Sequence, residues 1–401
     1  MSGHRRLATA VLAMVPALAG MSGCWGVPPM EQVGLVSLLA IDRSQADGVE
    51  LTASIDMPTS ASATPGLGQM AQALVRRAAG RTLQEAVGRL RTQSYLTIGF
   101  DHLEALLVSQ SVARAGLATP LADMTTSPEF VTTPYLLVVR HGSAGAVLEA
   151  LRSAKPRPEV VVTNTINQAR VRTPYRPRRL YDFLQRAQLA GDGFVTSGVA
   201  VNAAQPGGAT SPAFEVEGQA MFDRDRLAGW LGADSALGWA LATGEAGHPT
   251  IELDDAHGGY GLEVLRDVRR VRIRGEPGPE GVAADLDIRV RARLSAAQAV
   301  PVDWWSDPDA VTRLARATAV RVAMDVLAAL AEAQADRADV FSLGEYVRVQ
   351  DPGAWARLGA RWDGVGFPHL PVRVRVHVAI AHLGTLVCPP FAPCRPPASP
   401  L

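Results

Sequence analysis

Residues 282–294 read VAADLDIRVRARL and residues 372–380 read VRVRVHVAI, so in both stretches apolar side chains alternate with mostly charged ones. A period of two residues is that of a β-strand with one buried and one solvated face. Residues 308–337 lie between them and place apolar side chains at helical spacing. That stripe consists of Val311, Leu314, Thr318, Val322, Val326 and Leu330, with Asp307 as the candidate cap. We therefore predict an α+β domain in which a C-terminal antiparallel sheet packs with one long helix.

The first half of the chain is mixed α/β and is built from short units. The pattern predicts strands at residues 33–41, 51–57, 103–108, 135–139 and 194–201, and helices at residues 83–90, 144–151 and 179–189. Thr82 with Glu85 three residues later has the spacing of a capping box. The segment QPGGATSP at residues 205–212 has the composition of a linker. We therefore predict an N-terminal domain over residues 24–204, a C-terminal domain over 213–385 and a disordered Pro-rich tail over 386–401.

The amino terminus has the layout of a lipoprotein signal peptide over residues 1–23. A basic start is followed by a 14-residue apolar run over residues 7–20, which is too short to span a bilayer as a helix. The run leads through small residues to Cys24, whose thiol would accept a diacylglyceryl group after export. We favour this lipid anchor over an ordinary secretory signal or an uncleaved anchor, because no other cysteine precedes residue 388.

The remaining cysteines are Cys388 and Cys394, which leaves an odd number of three in the chain. If Cys24 carries a lipid, these two could pair across a Cys-x5-Cys loop. The alternative is two unpaired thiols, since the surrounding prolines restrict the geometry that a disulfide requires.

Charge and motif content argue against several functional classes. The 401 residues include 39 basic and 39 acidic side chains, so the chain lacks the basic excess of a nucleic-acid binder. The sequence contains no His-Glu-x-x-His, Gly-x-Ser-x-Gly or phosphate-loop motif. We therefore expect no catalytic residue, no metal site and no cofactor, and we do not expect an enzyme.

A few clusters have a functional and a plain interpretation. Asp254, Asp255 and His257 could ligate a metal, but a solvated loop is favoured, and the glycines of residues 258–261 are interpreted as a turn. Arg176, Arg178 and Arg179 could face anionic headgroups, although a solvated helix start is favoured. The tryptophans are expected in the core or at interfaces: Trp230, Trp239, Trp304, Trp305, Trp355 and Trp362.

Four ordered stretches resemble one known family, the Ger(x)C spore germination lipoproteins. The stretches are Cys24-Trp25 followed by EQVGLVSLLAIDRS, then GRTLQEAVGRLRTQSYLTIGFDHLEALLVSQSVARAGL (80–117), EVEGQAMFDRDRLAGWL (215–231) and ADVFSLGEYVRVQDPGAWARLGARW (338–362). The chain departs from the family pattern at residues 26–29, at residues 125–128 and in the Pro-rich tail.

The resemblance implies a non-enzymatic C subunit of a spore nutrient germinant receptor. Such a subunit would be lipid-anchored at Cys24 on the outer face of the spore inner membrane, together with integral-membrane A and B subunits. The resemblance also leaves open a division into three domains, in which residues 160–275 form a separate domain. The alternative is a lipid-anchored extracytoplasmic solute-binding protein, which would need two doubly wound lobes around a cleft.

Overall fold

A computed structural model describes residues 32–44, 48–56, 73–152, 154, 156–202, 213–255, 258–276, 281–297 and 309–382. Cys24, Cys388 and Cys394 lie outside these residues, as do Trp304, Trp305, the linker segment 205–212 and the candidate cap Asp307. The described chain contains two sheets, and helices pack on both of them.

The larger sheet has ten strands in a mixed arrangement. Its main order is β10-β9-β8-β6-β5-β1-β2-β3, with β4 beside β1 and β7 beside β6. The strands are β1 (Val33–Ser44), β2 (Gly48–Asp56), β3 (Leu74–Gly80), β4 (Thr97–Gly99), β5 (Ala105–Ser109), β6 (Tyr135–Val139), β7 (Arg178–Arg179), β8 (Phe194–Asn202), β9 (Ala213–Asp223) and β10 (Arg226–Leu231). The neighbours β1, β5, β6 and β8 are parallel, so their carboxyl ends meet at one edge.

Helices connect and cover the strands of this sheet. They are α1 (Leu83–Thr92), α2 (Gln110–Ala115), α3 (Ala118–Thr126), α4 (Ala144–Leu151), α5 (Pro158–Arg172) and α6 (Leu180–Arg186). Strand β6 and helix α4 have the predicted bounds. Two separate buried clusters lie against the sheet, one built on Leu39, Leu106 and Phe194 and the other on Leu38, Leu107 and Leu137. Successive side chains of one strand therefore point into different cores on the two faces of the sheet. This explains the continuous apolar runs of the central strands.

Of the two hydrogen bonds of the predicted capping box of α1, the one to the Thr82 side chain is confirmed and the one to the Glu85 side chain has a different donor. The Thr82 hydroxyl accepts a hydrogen bond from the Glu85 amide at 3.2 Å, as an N-cap should. The Glu85 carboxylate, however, accepts from the amide of Arg81 at 3.0 Å, one residue earlier than in a standard capping box. The first turn is thus held by two hydrogen bonds from the predicted residues.

The larger sheet continues beyond the predicted linker. Strand β9 pairs antiparallel with β8 over most of its length, from Phe194 opposite Phe222 to Asn202 opposite Ala213. Strand β10 then pairs with β9 at the edge of the same sheet. Residues on the two sides of segment 205–212 are therefore neighbours in one sheet.

The smaller sheet contains β11 (Thr250–Asp255), β12 (Gly258–Gly275), β13 (Val282–Ala297) and β14 (Val372–His382), in that order. The first three are antiparallel, as predicted, but β14 pairs parallel with β13, so the antiparallel prediction is wrong for this pair. Alternation of side chains reports burial and not strand direction. The chain between β13 and β14 crosses back through a long helix, and such a crossover is what a parallel pair requires.

That helix, α8 (Ala310–Ala335), follows the shorter α7 (Ala233–Thr243) and precedes α9 (Leu343–Gln350) and α10 (Pro352–Leu358). The predicted stripe is confirmed for Leu314, Thr318, Val322, Val326 and Leu330, which are buried, whereas Val311 in the first turn is half-buried. Helix α7 lies very close to α8, and Gly238 makes this approach possible because a Cβ there would overlap the backbone of Asp325. One continuous core joins these helices to the inner face of the smaller sheet.

Candidate functional site

The carboxyl edge of the parallel strands forms a polar crevice of about 570 Å³. Ligands of open α/β sheets commonly bind at such an edge. Its lining is Asp42, Arg43, Ser44, Glu50, Arg77, Ser111, Gly142 and Ser143. Arg77 lies 3.5 Å from Glu50, so part of the lining charge is already compensated.

Asp42 at the end of β1 holds the start of helix α4. Its carboxylate accepts hydrogen bonds from the Ser143 hydroxyl at 2.9 Å and from the amides of Ala144 and Gly145 at 2.8 and 2.7 Å. A carboxylate at a helix N-terminus satisfies free N–H groups and interacts favourably with the helix dipole. Asp42 therefore occupies the position where a ligand's anionic group would bind, and the crevice works as a structural joint between β1 and α4.

A second polar centre lies at the junction of the two sheets and is built on Asp339. This side chain is buried and accepts three hydrogen bonds, from the amides of Leu343 and Gly344 at 2.9 and 2.7 Å and from the Trp362 indole at 2.8 Å. Asp339 thereby caps α9, whose own N-cap Ser342 makes no side-chain cap bond. We call Asp339, Leu343, Gly344 and Trp362 the Asp339 hub.

The Asp339 hub is joined to the loop that enters β8. The Gly193 amide donates to the Asp339 carbonyl at 2.9 Å, and the Ser342 hydroxyl donates to Asp192 at 2.7 Å. Gly191 has a φ of +74°, and a Cβ there would lie 3.0 Å from the Cα of Gly344. The two parts of the molecule therefore meet through close backbone contacts and not across an open cleft.

The electrostatics of the Asp339 hub follow from its burial. Desolvation raises the pKa of Asp339 to about 7, although the two amides and the indole each lower it. The neighbouring Asp363 acts in the same direction as burial, and its own pKa is also raised by desolvation. The hub thus holds a carboxyl group whose charge state changes near neutral pH.

The predicted arginine cluster is neither a free basic patch nor a solvated helix start. Arg176 is buried and donates to backbone carbonyls, including that of Glu245, while Arg178 pairs with the Glu245 carboxylate. Arg179 lies over the Tyr135 ring, 3.9 Å from its centroid. Arg176 and Arg178 tie the segment before α6 to the loop after α7, and Arg179 ties it to β6.

The candidate metal and glycine positions form a hairpin. Residues 258–261 are not a turn but the first residues of β12, where Gly259 and Tyr260 pair with Asp254 and Leu253. Asp254 is exposed on β11, and His257 lies outside the described residues. Within the described ranges, no group of three or more His, Cys, Asp or Glu side chains could hold a metal ion.

The tryptophans that the structure describes are anchors, as predicted. The Trp239 indole donates to the Val340 carbonyl at 2.9 Å, and the Trp230 indole donates to Gln110 at 2.7 Å. Trp355 packs on Trp362 with 5.6 Å between ring centroids. The Trp230 and Trp239 rings thus connect elements that are distant in sequence.

Sequence reasoning overlooked Asp42 and Asp339 as structural centres. Both lie inside the stretches that carry the family resemblance, Asp42 at the end of LLAID and Asp339 in ADVF. The sequence feature that indicates such a centre is a single acidic residue inside an apolar run. A carboxylate buried there needs several hydrogen-bond donors around it.

Two family models match the chain almost end to end. "Spore germination protein N-terminal domain" matches residues 27–198, and "Spore germination B3/GerAC like, C-terminal" matches residues 217–384. The chain belongs to the Ger(x)C family of spore germination proteins. The gap between the two models, residues 199–216, contains the predicted linker, although β8 and β9 pair across it.

Two curated relatives of this Ger(x)C chain come from Bacillus subtilis (strain 168). Putative spore germination protein YfkR is 25% identical over 211 residues, which are 52% of this chain and 53% of the relative, so the match spans about half of that protein. Spore germination protein KC is 20% identical over 402 residues, 95% of this chain and 96% of the relative.

The crystal structure of the GerBC protein shares the fold of this Ger(x)C chain. The match has a TM-score of 0.56 at 16% identity and covers 86% of this chain and 96% of that one. In the part of the chain that the structure describes, no helix combines the length and apolar character needed to cross a membrane.

Proposed function

We propose that this chain is a lipid-anchored, non-enzymatic subunit of a spore nutrient germinant receptor. The observation that carries the proposal is the end-to-end match to the Ger(x)C family, including the nearly full-length alignment with Spore germination protein KC. The role would be to dock and hold a sensing complex with integral-membrane A and B subunits at the spore inner membrane. The two cysteines at 388 and 394, paired or unpaired, have no part in the proposal.

The anchor rests on Cys24, which follows an apolar run and small residues at the amino terminus. Two or three acyl chains hold a protein stably at a bilayer, whereas a single chain is marginal. A lipid on Cys24 would leave the remainder of the chain on the outer face of the membrane.

The non-enzymatic role is supported by the chemistry of the two polar centres. The carboxylates of Asp42 and Asp339 are each saturated by donors of the chain itself, so neither is available to a substrate. A solute-binding protein would need an open cleft between lobes. The Asp339 hub fills the corresponding junction here, which favours the receptor subunit over that alternative.

The test is genetic. Deleting the gene in the spore-forming source should abolish or strongly slow germination triggered by the nutrient of this receptor, and a wild-type copy should restore it. Wild-type protein should stay with the membrane fraction in about 1 M salt, where charge-based contacts are screened, whereas a copy carrying Cys24→Ala should be released into the soluble fraction. Normal nutrient-triggered germination of the deletion strain, with paralogous genes also removed, would contradict the proposal.

A further inference from the structure

The outer face of the smaller sheet carries an unusual density of arginine. The apolar side chains of β13 and β14, such as Ile288 and Val376, point toward the core, so the alternate positions lie on the other face. The basic residues on this outer face of β12, β13 and β14 are Arg266, Arg270, Arg272, Arg274, Arg289, Arg291, Arg293, Arg373, Arg375 and His377. We call this surface the arginine face.

Only three of these arginines have an acidic partner on the face. Arg274 pairs with Asp285 at 2.8 Å, Arg293 with Glu263 at 2.6 Å and Arg375 with Asp287 at 3.7 Å. Six arginines make no ion pair or hydrogen bond with any described residue: Arg266, Arg270, Arg272, Arg289, Arg291 and Arg373. The chain as a whole has no net charge, so this face concentrates positive charge that is balanced elsewhere.

One corner of the face places two arginines in direct register. Arg266 lies opposite Arg291, and Arg289 lies opposite His377, with no acid opposite either pair. Like charges in cross-strand pairs destabilise a sheet, so stability of the free chain does not explain this arrangement. The depression at this corner has a volume of about 450 Å³ and also includes Val268, which is 45% exposed.

The chemistry of the corner suits phosphate esters at a flat surface. A guanidinium presents a planar fork of donors that matches phosphate oxygens and is more weakly hydrated than an ammonium. Each arginine near an anionic bilayer is attracted to the negative lipid headgroups. This attraction decays within about one Debye length of the membrane surface. Arginines spread over three adjacent strands can reach several headgroups at once, whereas an acidic peptide would contact one row.

We propose that the arginine face docks on the surface of an anionic phospholipid membrane, with Arg266, Arg289 and Arg291 at its centre. This contact is separate from the proposed lipid on Cys24 and would fix the orientation of the smaller sheet toward the bilayer. It requires no acyl group, so it can be tested in a chain that cannot be lipidated.

The test uses vesicle flotation of residues 24–401, the chain left after the predicted signal-peptide cleavage, with Cys24→Ala. Vesicles of phosphatidylcholine are compared with vesicles that also contain phosphatidylglycerol. We expect stronger binding to the anionic vesicles, and the triple variant R266Q/R289Q/R291Q should weaken it by roughly 100-fold, about fivefold for each arginine. Raising the salt from about 0.1 M to about 1 M, which shortens the Debye length from about 10 to about 3 Å, should have a similar effect.

The matched control is R172Q/R316Q/R361Q, which removes the same charge from three exposed arginines outside the face. It should lower anionic-vesicle binding by less than about fivefold, and the melting temperature of the face variant should be unchanged or raised. Equal losses in the two triple variants, or full binding by the face variant, would overturn the proposal. The second result would instead direct attention to an acidic protein segment as the occupant.

Discussion

At the scale of single residues, the fold depends on two carboxylates that the chain itself saturates. Asp42 joins β1 to α4, and Asp339 joins α9, Trp362 and the loop before β8. Removing the carboxylate from such a network leaves buried N–H donors without an acceptor. The free-energy cost of these unsatisfied donors is larger than the net stabilisation from an average hydrogen bond.

At about pH 5, Asp339→Asn should lower the free energy of unfolding by about 3 kcal/mol, because the amide NH₂ would face one of the three donors. The measurement is denaturant unfolding of the purified chain. Asp254→Asn is the matched control, since Asp254 is exposed on β11, and it should stay within about 0.5 kcal/mol of wild type. A loss at Asp339 no larger than at Asp254 would show that the hub does not hold the junction.

The raised pKa of Asp339 also predicts a pH dependence. Between about 4 and about 7 the folded chain retains a proton that the unfolded chain releases, since the ordinary pKa is 3.8. The contribution of Asp339 to stability is therefore complete below pH 4 and is lost as the pH rises toward 7. Its slope is at most about 1.4 kcal/mol per pH unit. The difference in unfolding free energy between wild type and Asp339→Asn should shrink over this range, and a growing difference would contradict the assignment.

At the scale of elements, helix α8 and the smaller sheet were predictable because burial repeats with a fixed period along each. The stripe from Leu314 to Leu330 and the alternation in β13 and β14 both follow the sequence directly. Strand direction was not predictable, since β13 and β14 pair parallel although their side-chain pattern suits either direction. The close approach of α7 and α8 was not predictable either. Gly238 indicates a close contact only when the position of Asp325 in α8 is known.

Two glycines in helices should respond in opposite ways to alanine. Gly238→Ala should lower the free energy of unfolding by about 1–3 kcal/mol, because the added Cβ overlaps the backbone of Asp325 in α8. Gly88→Ala lies in α1 with no atom within 4 Å of the added Cβ, so it should raise stability by up to about 1 kcal/mol. Thermal unfolding of both variants checks the pair. Stabilisation by Gly238→Ala would mean that α7 and α8 are farther apart.

At the scale of the whole molecule, the ordered matches in the sequence identified the family. The separation into domains was harder to derive. The segment 205–212 has linker composition, yet β9 and β10 follow it and complete the first sheet. Local sequence patterns predict individual strands. They do not predict which strands pair, or in which register, when the strands are far apart in the sequence. The same limit applies to the arginine face, whose density becomes visible only when three strands are placed side by side.

The central claim is that this chain is a lipid-anchored subunit of a nutrient germinant receptor. Its most direct test is the rate of nutrient-triggered germination in spores that lack the gene and its paralogues, complemented with wild type, with Cys24→Ala or with no copy. A non-nutrient trigger serves as the control for spore viability. We expect full recovery with wild type, impaired recovery with Cys24→Ala and none without a copy. Equal nutrient-triggered germination in all three strains would contradict the claim.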